Sequence, residues 1–227
     1  MHMPWSVRLR LLAVLAGALA VPPGCGMGEP SPQVYVLGDA GAAEPGAASQ
    51  MNTPTVEVRP VRVPDYLDTT DIVTRGAGGL VVPSESGRWG ERFSIGLTRA
   101  VAADLARKLP GLAVTTSARW SEPRWQVAIE LESFDVRSAG GSSLAATWTI
   151  LEGQHRRRLA EERVVLTASG TNRTDAEVVA VMDREVNDLA ERIAVSLAPL
   201  AGVSPAGGRS TRKDSSRRTT AAMSGHP

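Results

Sequence analysis

Cysteine and histidine are scarce in this chain. Cys25 is the only cysteine, and His2, His155 and His226 are the only histidines. One thiol excludes an intramolecular disulfide and any CxxC zinc site. His2 and His226 stand at the chain ends. His155 stands in a Gln-His-Arg-Arg-Arg stretch that reads as a solvated hairpin turn or an anion site. Long apolar runs are missing as well. Leu11 to Val21 falls short of the roughly 20 apolar residues that a spanning helix needs. No GxSxG, HExxH, Walker A or GxGxxG motif occurs in a strand–turn–helix context. Gly76-Ala77-Gly78-Gly79 is too short for a phosphate loop and lacks the following Lys-Ser/Thr. Asp65, Asp68 and Asp71 lie close together but lack the Gly and terminal Glu of a calcium loop. Glu85 and Glu91, on either side of Trp89, read as charges at a helix start and not as a catalytic pair. With no dependable base, nucleophile or metal set, the chain reads as a protein without enzymatic activity, cofactor or catalytic metal.

What is present begins with an export signal. Arg8 and Arg10 precede the apolar stretch, which ends at Pro22-Pro23-Gly24-Cys25. A basic region, a short apolar region and a small residue before the cut describe a secretory signal. The lone cysteine at its end points to a bacterial lipoprotein whose Cys25 thiol receives a diacylglycerol. Gly24 suits the place before the cysteine, while Pro22 stands where such signals usually carry Leu. The other reading is an ordinary secretory signal that leaves Cys25 as a free thiol. Gly26, in place of an Asp, favours the outer membrane. Stable anchoring needs more than one acyl chain, which a triacylated terminus supplies.

The chain divides by composition. Residues 1–25 form the lipoprotein signal peptide. Residues 26–53, rich in Gly, Ala, Pro and Ser, form a flexible tether with a β-prone island at Val34-Tyr35-Val36-Leu37. Residues 54–200 are long enough for one domain with a real core. Residues 201–227 are nearly devoid of large apolar side chains, a composition that predicts disorder. This tail carries Arg209, Arg212, Lys213, Arg217 and Arg218 against one acid, Asp214, while residues 1–28 carry two bases and no acid. The formal charge of +1 therefore leaves −5 on the segment between them. An acidic body argues against nucleic-acid binding. The basic tail suits a solubilising role or contact with anionic lipid or a partner.

Periodicity assigns the elements. Val56, Val58, Val61 and Val63 alternate with polar residues, with Pro60 marking an interruption. Ile72-Val73 and Leu80-Val81-Val82 flank the glycine-rich stretch as a hairpin. Phe93, Leu97, Val101, Leu105 and Leu109 recur every four residues, which predicts a helix over 91–109 closed by Pro110-Gly111. Leu112 to Thr116 is a short strand. Trp125, Val127, Ile129 and Leu131 alternate strictly, and the phase shift to Phe134 and Val136 predicts a bulge. Leu144 to Ile150 and Val164 to Ala168 continue an antiparallel meander. Thr174-Asp175-Ala176-Glu177 is a capping box. It opens a helix with Val178, Met182, Val186, Leu189, Ile193 and Leu197 on one face, which Pro199 is expected to stop. The fold class is α+β: a mainly antiparallel sheet with two amphipathic helices packed on one face.

Three segments in order resemble a known family: Val56 to Asp68, Ile72-Val73-Thr74-Arg75, and Trp89-Gly90-Glu91-Arg92-Phe93 opening the first helix. Tyr35-Val36-Leu37 resembles the Y-x-L start of the same domains. The set is similar to the PqiC family, the ABC-type transport auxiliary lipoproteins, over about Val34 to Leu197. The resemblance implies a lipid-anchored protein on the periplasmic face of the Gram-negative outer membrane. It implies two partners, a periplasmic MCE-domain protein and an inner-membrane transport component. It also implies a part in lipid transport and envelope integrity, and self-association into rings. The Pro-rich signal and the Arg-rich extension after Leu200 depart from the family pattern. The other function reading is a free-standing periplasmic module that binds a small ligand or cell-wall component.

Within that reading, Pro64-Asp65-Tyr66-Leu67 is a candidate partner-binding turn. Pro64 stiffens it, and an aromatic beside Leu on a loop suits an anchor. Tyr66 and Leu67 folded back onto the core is the competing arrangement. Trp89, just before a helix, either staples the helix start to the sheet or lines an interface.

Overall fold

A computed structural model describes residues 31–38, 53–117, 122–153 and 155–206. Cys25 and the tail bases from Arg209 onward lie outside the described residues. The strands are β1 (Gln33–Tyr35), β2 (Thr55–Val58), β3 (Asp71–Arg75), β4 (Val81–Trp89), β5 (Ala113–Thr115), β6 (Trp125–Val136), β7 (Ser142–Glu152) and β8 (Arg158–Ala168). The helices are α1 (Phe93–Lys108) and α2 (Asp175–Ala201). The strands form a three-stranded sheet, β1-β4-β3, and a five-stranded sheet, β5-β2-β6-β7-β8.

The meander is present. β6 pairs antiparallel with β7, and β7 with β8. The register of β6 shifts between Leu131 and Ser133, where the sequence changes phase. Trp125, Val127, Ile129, Leu131, Phe134 and Val136 are all buried. The bulge turns Glu132 outward, where it accepts hydrogen bonds from Thr147 Oγ1 and the Arg163 guanidinium. The other face of this sheet carries partly or fully exposed residues such as Gln126, Glu130, Glu161 and Arg163.

The fold is α+β, but its sheets are mixed. β2 runs parallel to both β5 and β6, and β1 runs parallel to β4. The reason is the crossover. Between β2 and β5 the chain makes the β3–β4 hairpin and α1, so it re-enters the sheet in its original direction. Short alternating strands look the same in sequence whichever way their neighbours run.

The hairpin turns through a short 3-10 segment, Ala77–Gly79, with φ of 68° at Gly78 and 83° at Gly79. These left-handed values favour glycine. The Val34–Leu37 island adds to the domain edge as β1, with Leu37 buried in the core. Beyond Val58 the chain continues beside β6 past Pro60, through an Arg62–Glu130 bridge.

Thr174 and Glu177 form the predicted capping box, and all six stripe residues of α2 are buried. Burial of that stripe contributes on the order of 10 kcal/mol before chain entropy is subtracted. Pro199 does not stop the helix. It stands inside the last turn, where it removes one hydrogen bond to the carbonyl of exposed Val195. The helix ends at Gly202, whose φ of 65° accepts the left-handed cap. α1 starts at Phe93, two residues later than predicted, without a side-chain cap at Arg92.

Candidate docking surface

The segment from Gln33 to Gly38 is fixed to the domain. Gly90 donates its N–H to Tyr35 O at 2.8 Å. Arg99 donates to Leu37 O at 3.3 Å, and Gly38 N–H donates to Asp183 Oδ1 at 2.9 Å. Gly38 has φ of 84°, and a Cβ there would stand 3.2 Å from Ala100 Cβ. The strand therefore has one buried side, at Leu37, and one open side, where Val34 is 68% and Val36 50% exposed. The open side is an apolar strand edge beside Gly90. The sequence signal is an apolar residue at all four positions from Val34 to Leu37, more than one buried face can use.

The Pro64–Leu67 turn is largely structural. Leu67 N–H donates to Pro64 O at 2.9 Å, and its side chain is buried in the core. Tyr66 is half-buried beneath Arg75, whose guanidinium lies 4.8 Å from the ring centroid. Arg75 Nε donates to Asp135 Oδ1 at 2.9 Å, and its NH1 donates to Gly79 O at 3.0 Å. Burial, and then the Asp135 charge, push the Tyr66 hydroxyl above its ordinary value. Asp65 is exposed and Pro64 half-buried. Beside this cluster, Leu80 is 61% and Val82 41% exposed at the hairpin tip.

Two of the predicted partner residues are thus packed inside. Leu67 fills the space under the turn, and Trp89 is buried with its ring 5.8 Å from Phe93. Phe93 in turn meets Phe134 at 6.1 Å, so Trp89 staples the start of α1 to the sheet. Neither presents a surface to a partner in this structure. Pro64, Asp65 and Tyr66 stay at the surface beside the hairpin tip.

The acidic residues singled out in sequence are not assembled into a site. Asp68 pairs with Arg92 at 2.7 Å and accepts from Ser94 N at 3.2 Å. Burial raises its carboxyl, but the Ser94 and Arg92 hydrogen bonds outweigh that and hold it below the ordinary value. Asp71 pairs with Arg88, and Glu91 with Arg99. His155 is exposed at the β7–β8 turn.

Two buried acids escaped the reading of the sequence. Asp104 is buried where α1 meets α2; burial pushes its carboxyl up, while Arg107 and Lys108 pull it down. Glu185 is 1% exposed on the apolar face of α2. Its signal was available: position 185 lies three after Met182 and four before Leu189, inside the stripe.

Residues 35–194 match the model of the ABC-type transport auxiliary lipoprotein component. The chain belongs to this family. Solved structures share the fold of this transport auxiliary lipoprotein domain. A crystal structure of an uncharacterized protein matches with a TM-score of 0.60 at 18% identity, over 73% of this chain and 98% of that chain. Protein XCC0632 from Xanthomonas campestris, assigned to DUF330, matches with a TM-score of 0.54 at 14% identity, over 75% of this chain and 94% of that chain. No curated protein matches. Among the described residues, no helix is long and apolar enough to cross a membrane.

Proposed function

We propose that this auxiliary lipoprotein is held at the periplasmic face of the outer membrane by a lipid on Cys25. It serves an MCE-type intermembrane lipid transport system by docking to proteins and performs no chemistry of its own. The observation that carries this reading is the clamped segment from Gln33 to Gly38. Eight residue steps separate Cys25 from Gln33, a reach of at most roughly 29 Å for extended chain. A lipid on Cys25 therefore holds the domain close to the bilayer, on a short leash attached to a rigid strand.

Docking uses the apolar surface left open. Val34 and Val36 lie beside one end of β4, and Leu80 and Val82 lie at the other. Patches at opposite ends of one sheet suit head-to-tail contact between copies, the geometry of a ring. They equally suit an MCE-domain protein and its inner-membrane component. Pro64, Asp65 and Tyr66 border the second patch.

The test is fractionation and co-purification. In cells, Cys25→Ser is expected to move the mature protein from the membrane to the soluble periplasm. Gentle solubilisation of the unaltered protein is expected to bring an MCE-domain protein with it. A Cys25→Ser protein that stays with the membrane rejects the anchor. A membrane-bound protein that co-purifies with no transport component rejects the partnership.

One observation favours the second reading, a small-ligand module. An open, mostly apolar groove of about 280 Å³ is lined by Pro60, Ser94, Ile95, Thr98, Arg99 and Thr116. Ligand protection of these residues in a protein without partners would support it.

A further inference from the structure

Glu185, in the middle of α2, lies against Ser142 at the start of β7, and its helix neighbours Val181 and Arg184 face Gly170 of the loop before α2. Both carboxylate oxygens of Glu185 are buried without a hydrogen-bond partner. Ser142 Oγ and Asn172 Oδ1 are likewise buried without one. The surrounding backbone is tightly fixed. Asn172 Nδ2 donates to Arg137 O at 2.9 Å and to Gly141 O at 3.0 Å, and Gly141 N–H donates to Gly170 O at 3.1 Å. Gly140 and Gly141 hold the turn with φ of 106° and 79°.

We propose that Glu185 is a proton site that controls the seating of α2 on the β6–β7 turn: neutral when α2 is seated, and loosening that contact when ionised. A buried charge with no more than the Ser142 hydroxyl beside it costs far more than a buried neutral acid. The charged and polar neighbours do not cure this. Ser142 on β7 favours the ionised form and Arg184 helps, but burial and then Asp188 oppose it. On the other flank of α2, α1 presents Asp104, Arg107 and Lys108 to Asp183, Asn187 and Glu191. The balance raises the Glu185 carboxyl from 4.5 to about 7. Its folded value lies above its unfolded one, so the stability it contributes is fully present at low pH. It falls as pH rises from about 4.5 to about 7 and stays low above. Over that window the opening equilibrium rises by up to a few hundredfold.

The experiment uses the mature chain and Glu185→Gln, which carries no titrating proton. Hydrogen exchange is followed at residues 136–142 and 170–188 and expressed as protection factors. Between pH 5 and 8, protection in the unaltered protein is expected to fall on the order of a hundredfold, while Glu185→Gln stays flat. Equal pH dependence in the two proteins overturns the proposal. If Glu185→Gln does not fold, carbon NMR of the Glu185 carboxyl in the unaltered protein decides. Titration near 7 supports the proposal, and titration near 4.5 overturns it.

Discussion

Gly38 donates its backbone N–H to Asp183 Oδ1 at 2.9 Å, joining residues 145 positions apart. This bond closes the clamp that fixes the first strand to the second helix. It also makes the mechanical link testable. Asp183→Ala removes the acceptor and leaves the Gly38 N–H without it. The expected cost is about 1–2 kcal/mol, with proteolytic cutting near residue 38 accelerated more than global unfolding. Asp183→Asn keeps an acceptor oxygen and is expected to lose less than half as much. Equal cleavage in all three proteins would show that the Asp183 bond adds nothing to the clamp.

Gly87 is a position where only a hydrogen fits. A Cβ there would stand 2.5 Å from Asp175 Oδ2 and 3.0 Å from Asp175 Cβ. That carboxylate accepts from Ser84 Oγ at 2.8 Å and Ser86 Oγ at 2.7 Å, tying β4 to the first turn of α2. Gly87→Ala must displace Asp175 and break both bonds, so denaturant unfolding is expected to show a loss of about 2–3 kcal/mol. In an Asp175→Ala background those bonds are already gone, and the same change is expected to cost less. Strict additivity of the two changes would contradict the contact.

These contacts mark what the sequence could and could not reveal. The capping box at Thr174, the bulge after Leu131 and the β-prone island at Val34 were legible because each depends on residues close in the chain, whereas the island's partner strand, β4, lies far along it. The burial of Leu67 and Trp89 is one of two arrangements the sequence allows, and the sequence does not decide between them. A turn residue exposes or buries its side chain according to what lies across from it, and Phe93 and Phe134 come from distant segments. Parallel pairing of β2 was hidden for a related reason, since alternation reports faces and not directions. Pro199 misled because the rule for helix interiors weakens in a last turn that faces water.

Leu67 separates the two accounts of the Pro64–Leu67 turn. Its side chain is 3% exposed, so Leu67→Ala is expected to cost about 2–4 kcal/mol by thermal or chemical denaturation. Asp65→Lys, at an exposed position, is expected to leave stability within about 0.5 kcal/mol. A negligible effect of Leu67→Ala on folding, joined to lost partner binding, would restore Leu67 as an external anchor.

Asp68 supplies an acid-side dependence of opposite sign to that of Glu185. Its folded value is held low by Ser94 and Arg92, so its contribution is present above the ordinary carboxylate range. It is lost as pH falls through the folded value. Asp68→Asn is expected to destabilise by about 1 kcal/mol at pH 7 and by progressively less as pH falls through the folded value. The check is the difference in denaturation midpoint between the two proteins across that range. A difference that grows on acidification would reverse the assignment.

The open edge at Val34 and Val36 gives the sharpest separation of docking from folding. Both side chains point away from the core that holds Leu37, so Lys at either place leaves the packed side intact. A charged residue on a strand edge also discourages strand-to-strand association. Val34→Lys with Val36→Lys is therefore expected to leave the unfolding midpoint nearly unchanged and to weaken partner or self-association at least tenfold. Analytical ultracentrifugation and co-purification read the two forms of association. Leu80→Lys with Val82→Lys asks the same of the hairpin tip. If the contact is head-to-tail, either pair of changes abolishes closed assemblies. A mixture of the two altered proteins then forms one-to-one pairs through the single intact edge and intact tip, and nothing larger. Failure of the mixture to pair would show that the two patches do not meet each other.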